Sequence, residues 1–77
     1  MNIEVAVLNV LSASPRALPV GVIRGELPAY LDEDHTLGDI EAALKRLERK
    51  GHVAGTRHED RGTLWTATAD GRLRIAA

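Results

Sequence analysis

The chain has 77 residues, a formal net charge of −1 and no cysteine. That length suits one small domain near the lower limit for a self-sufficient core, and the absence of cysteine excludes disulfides and thiolate metal sites as supports. Aromatics are limited to Tyr30 and Trp65, so the core must be aliphatic.

Residues 2–13 (NIEVAVLNVLSA) carry two periods at once. Ile3, Val5 and Val7 alternate as a strand would, whereas Ile3, Val7, Val10 and Leu11 form a helical stripe. Length favours a helix. In that register Val5 and Leu8 fall off the stripe. Either the chain termini or the wing cover them, or they form a self-association surface; the expectation is the latter, giving a homodimer through the first helix. Ser12-Ala13-Ser14-Pro15 breaks the pattern. Pro19 can open a second helix, with Val20, Ile23 and Leu27 at helical spacing and Pro28 at its end. Asp32-Glu33-Asp34-His35 is a solvated acidic loop.

The strongest signal follows. Thr36 with Asp39 three residues on forms a capping box with a shortened acid. Leu37, Ile40, Ala43, Leu44 and Leu47 make one apolar stripe, and Gly51 stands where a left-handed residue would stop the helix. The spacing predicts a helix over residues 37–50. At about 100° per residue, Gly38, Ala42, Lys45, Arg46 and Arg49 fall on the side away from the stripe. Two small residues and three cations there let a helix come close to a nucleic-acid backbone or groove. A merely solvated face, supported by Glu41 and Lys45 at i,i+4, is the plainer reading.

After Gly51 the period becomes two. Residues 53–57 and 63–68 read as strands joined by the charged turn His58-Glu59-Asp60-Arg61-Gly62. Trp65 is expected to fill the core beneath the hairpin. Thr68 precedes residues 69–75, a short helical turn for which it is the cap. Charge is distributed unevenly. Residues 1–39 hold two arginines against six acids, or −4, and residues 40–77 hold eight Lys and Arg against five acids, or +3. A basic second half gives an anion something to meet.

Three helices followed by a hairpin is the order of a winged helix-turn-helix. Residues 43–53, ALKRLERKGHV, resemble the end of the recognition helix and the entry to the wing in bacterial MarR- and PadR-type transcriptional regulators. Residues 65–72, WTATADGR, are similar to their wing exit. The resemblance implies an α+β fold over residues 1–77 as one domain: three helices, a two-stranded β-hairpin wing over 53–68 and a short C-terminal helical turn. It also implies double-stranded DNA as partner, with Gly38, Ala42, Lys45, Arg46 and Arg49 facing it and Arg57 and Arg61 as wing contacts. The sequence has no counterpart of the long dimerisation helices of those regulators, so ligand sensing is not carried over.

Against this stand Asp39 and Glu41 in the first turn of the third helix, Asp32 to Asp34 before it, and Glu59 and Asp60 in the wing turn. These acids favour the alternative, a winged-helix module or adaptor for protein–protein contact. The remaining chemistry is sparse. His52 and His58 with Glu59 and Asp60 allow a zinc site to be imagined, but histidines on a hairpin are more often solvated. Neither Ser12 nor Ser14 has a neighbouring base signature, and no phosphate-cradling loop is present. The expectation is therefore a small cytoplasmic regulator of transcription, with no catalytic residues, metal, cofactor, small-molecule ligand or membrane segment.

Overall fold

The computed structural model describes residues 1–76. In chain order these form α1 (Ile3–Ala13), β1 (Leu18–Pro19), α2 (Val20–Glu26), a 3-10 turn (Leu27–Ala29), α3 (Leu37–Arg49), β2 (Val53–His58), β3 (Gly62–Ala67) and α4 (Ala69–Ala76).

The ambiguous opening segment is a helix. The Asn2 side chain accepts the Val5 N–H at 2.9 Å and caps it. Its mixed period has a physical origin: α1 is covered on several sides, and Ala6, Val7, Leu8, Val10 and Leu11 are all buried. A helix enclosed by α3, β3 and α4 has no single apolar stripe. This removes Leu8 from the expected self-association surface and matches the alternative that a chain terminus covers it. Leu8 is 1% exposed, under α4, while Val5 is half-buried.

Pro19 lies one residue earlier than expected, ending β1 and standing as the N-cap of α2. β1 pairs only with β3, through Leu18–Trp65 and Pro19–Leu64, so a residue without an N–H costs little on this edge. The sheet accordingly has three antiparallel strands in the order β1-β3-β2, not two. Two residues are too few to show an alternation, which is why the sequence hides β1.

α3 begins and ends as its residues require. Thr36 Oγ1 accepts the Asp39 N–H and Asp39 Oδ2 accepts the Thr36 N–H, each at 3.1 Å. At the far end Gly51 takes φ 79°, its N–H reaching the Glu48 carbonyl at 3.0 Å and that of His52 the Leu47 carbonyl at 2.9 Å. This double bond pattern closes a helix through a left-handed glycine. Ile40, Ala43, Leu44 and Leu47 are buried. Leu37, at the margin of the stripe in the first turn, is 38% exposed and does not join the core.

In the hairpin, Val53, Gly55 and Arg57 pair with Ala67, Trp65 and Thr63. Directly paired residues share a sheet face. Gly62 at φ 71° closes the turn in a conformation that favours glycine. Trp65 is 6% exposed within the main core cluster, and a Cβ on Gly55 would come within 2.9 Å of its ring. That glycine makes the space the indole fills.

Thr68 joins three elements. Its Oγ1 accepts the Gly71 N–H at 3.0 Å, capping α4, and donates to the Gly51 carbonyl at 2.6 Å. α4 is thereby fixed to the end of α3, and Arg72 Nη1 ties it to the Ser12 carbonyl of α1 at 2.9 Å. The core is aliphatic apart from Trp65, with Tyr30 at its edge. No helix among the described residues is long and apolar enough to cross a membrane.

Candidate nucleic-acid interface

Because Ile40, Ala43, Leu44 and Leu47 turn one side of α3 inward, the opposite side is fixed in the open. Gly38, Ala42, Lys45, Arg46 and Arg49 are all exposed. They differ in what surrounds them. Gly38 and Ala42 leave the face low along its first two turns. Arg49 has no described carboxylate within 4.0 Å. Lys45 leans to the wing, its Nζ 5.9 Å from the centre of the Trp65 ring. A cation over an indole face is attracted by the ring's negative charge density, which orders Lys45 without neutralising it.

Arg46 departs from the expected arrangement. Its Nε donates to Glu4 Oε2 at 3.1 Å, and Lys50 Nζ donates to Glu4 Oε1 at 2.9 Å. Arg46 sits on the flank of α3 that meets α1, about 70° round from Gly38 and Arg49. Of the three cations of α3 and the Lys50 at its C-cap, two, Arg46 and Lys50, are therefore held by one carboxylate. The hydrogen bond from Lys50 lowers the Glu4 pKa most, opposed by partial burial and helped by the bond from Arg46 and by both positive charges. The Glu4 side chain keeps 23% of its surface, so these pairs are partly screened by water.

The wing lies beside the other flank. Val20, Glu41, Lys45, Thr63 and Trp65 line a shallow depression between α3 and the sheet. Arg57, on the same sheet face as Trp65, extends the line from Lys45 toward the tip, where Arg61 is exposed in the turn with Glu59 and Asp60. Lys45 and Arg49 thus share one side of α3, Arg57 shares the sheet face of the Trp65 ring over which Lys45 lies, and Arg46 is set apart. Glu41 shares the depression on the wing flank with Lys45, and the first turn also carries Asp39, held by the capping box.

Sequence reasoning missed Glu4, which lies 42 residues from Arg46, and Lys50 as its second partner. No local pattern encodes a contact at that separation. The imagined zinc pair is taken apart by geometry. His52 immediately precedes β2 and His58 ends it, so the extended strand sets them roughly 20 Å apart at strand rise. No group of three or more metal-capable side chains occurs among the described residues.

The helix order, the three-stranded sheet and the hairpin after α3 are those of a winged helix-turn-helix, and solved structures agree on this fold. A MarR-family transcriptional regulator from Silicibacter pomeroyi superposes with a TM-score of 0.77 at 22% identity, over 92% of this chain and 44% of that one. BpsR of Bordetella bronchiseptica, whose DNA binding is regulated by 6-hydroxynicotinic acid, gives 0.80 at 20% identity, over 99% and 50%. The PcaV transcriptional regulator of Streptomyces coelicolor, solved with its natural ligand, gives 0.76 at 26% identity, over 97% and 49%. The chain spans about half the length of these regulators. No protein-family model matches it, and no curated protein matches it in sequence.

Proposed function

We propose that this chain is a DNA-binding domain of a transcriptional regulator, acting over residues 1–77 as one winged-helix unit. α3 enters the major groove and the β2–β3 wing meets the adjacent backbone. The observation that carries this reading is the outer side of α3. There Lys45 and Arg49, exposed and without a carboxylate partner among the described residues, stand next to Gly38 and Ala42, which leave room for a groove wall. Lys45 and Arg49 supply phosphate or guanine contacts, and Arg57 and Arg61 supply wing contacts to phosphate. The likeness to solved regulators supports the reading at the level of fold.

The test is a titration of duplex DNA across salt concentrations. A DNA-binding domain loses affinity linearly in log–log form as salt rises, with a slope near 0.9 per phosphate contacted. The double variant K45E/R49E should remove binding while leaving the fold intact. A flat salt response, or unchanged binding by the double variant, would overturn the proposal. A flat response would favour the protein–protein module, which the acids of the first turn and wing would suit. Two copies would place two α3 helices on successive half-sites, but Leu8 is not available as their contact, because α4 already covers it.

A further inference from the structure

We propose that Glu4 is a specificity-determining residue of this interface, holding Arg46 and Lys50 back from sequence-independent phosphate binding. The inference rests on the DNA-binding reading above and goes beyond it, since Glu4 lies on α1 and outside the contact face.

One carboxylate uses both oxygens, Oε2 for Arg46 Nε and Oε1 for Lys50 Nζ. Arg46 lines a shallow depression with Ile3, His35, Asp39 and Ala42, so it borders the contact face at Ala42 but is turned from it toward α1. Its side chain remains 45% exposed and that of Lys50 56% exposed. These are cations within reach of solvent and of a polyanion, restrained by an internal acid, not buried ion pairs that hold a core together. A phosphate must compete with Glu4 for them, and it is repelled by the carboxylate when it approaches.

The consequence concerns the balance of two binding terms. Phosphate contacts raise affinity for every duplex equally, whereas base contacts discriminate. Withholding Arg46 and Lys50 lowers the first term and leaves the second to Lys45 and Arg49. A chain of net charge −1 then binds little DNA at random, and base-edge contacts decide where it stays.

The experiment compares wild type, E4Q, E4Q/R46Q and E26Q on random-sequence duplex over a range of salt. Glu26 is exposed on α2 and has no cation within 4.0 Å among the described residues, so E26Q makes the same change in net charge elsewhere. E4Q should bind random duplex on the order of tenfold more tightly at low salt, with a slope steeper by about 1.8, the increment of two more phosphate contacts, one each for Arg46 and Lys50. E4Q/R46Q should fall back by about 0.9, keeping only the contact of the released Lys50, and E26Q should keep the wild-type slope. A slope unchanged in E4Q, weaker binding by E4Q, or an equal gain in E26Q would overturn the assignment of Glu4 while leaving the DNA-binding reading standing. If neither wild type nor E4Q binds duplex, both fall together. Circular dichroism of each variant confirms that the fold is retained.

Discussion

Gly71 packs its backbone directly against the carbonyl of His52, leaving no room for a side chain between α4 and the end of α3. The same His52 carbonyl accepts the Thr68 N–H at 3.0 Å, and a Cβ on Gly71 would also meet Leu8 Cδ1 at 3.0 Å. The glycine is thus the point where α1, α3 and α4 converge. Gly71→Ala puts a methyl group against backbone, which cannot move aside as a flexible side chain can. Overpacking of this kind costs about 1–3 kcal/mol. A lowered midpoint in chemical denaturation is the expected outcome, and unchanged stability would show that α4 can lift away freely.

The neighbouring cap offers a gentler probe. Thr68 Oγ1 both accepts from Gly71 N–H and donates to the Gly51 carbonyl. Thr68→Ala removes both bonds and should cost about 0.5–2 kcal/mol, the usual range for a lost cap. Thr68→Ser should restore most of it. Thermal unfolding of the pair checks this.

Leu8 distinguishes a core residue from a partner contact. At 1% exposure, Leu8→Ala should cost about 2–5 kcal/mol and leave the molar mass in light scattering unchanged. A change of mass at unchanged stability would return Leu8 to an intermolecular surface.

The cations of α3 should separate into two groups. Arg49→Gln and Lys45→Gln are each expected to weaken duplex binding and to flatten the salt slope by about one contact, roughly 0.9. Arg46→Gln should change both much less, because Glu4 already occupies it. Equal losses at all three positions, measured by fluorescence anisotropy, would mean that the ion pair opens on binding.

Acid should act on the contact between α1 and α3. The Glu4 pKa is lowered in the folded chain, first by the Lys50 hydrogen bond. For a carboxyl with a depressed folded pKa, the stabilisation is present in full above the unfolded pKa. It is lost as pH falls through the folded one. The stability difference between wild type and Glu4→Gln should therefore be constant near neutral pH and vanish below the ordinary glutamate range. A difference that persisted in strong acid would point to packing, not charge.

Several features of this molecule were legible because they are local. The capping box of Thr36 and Asp39, the stripe from Ile40 to Leu47 and the Gly51 stop each depend on residues within a few positions, and their geometry follows from backbone hydrogen-bonding rules alone. The change of period after Gly51 and the glycine of the wing turn are local in the same sense, as is the cap at Thr68.

What the sequence left open depends on contacts between distant segments. Residues 3–13 fit a strand or a helix until α3 and α4 close around them, because a helix buried on several sides loses the one-sided period that would declare it. β1 exists only because β3 offers Leu18 and Pro19 a partner. By itself the amino-acid order determined the elements that are stabilised within a few residues, and which side of α3 is apolar. Only the tertiary structure decided that Leu8 belongs inside and that Arg46 and Lys50 belong to Glu4, because side-chain charges and apolar surface find their partners by proximity in space, across 42 and 46 residues of chain.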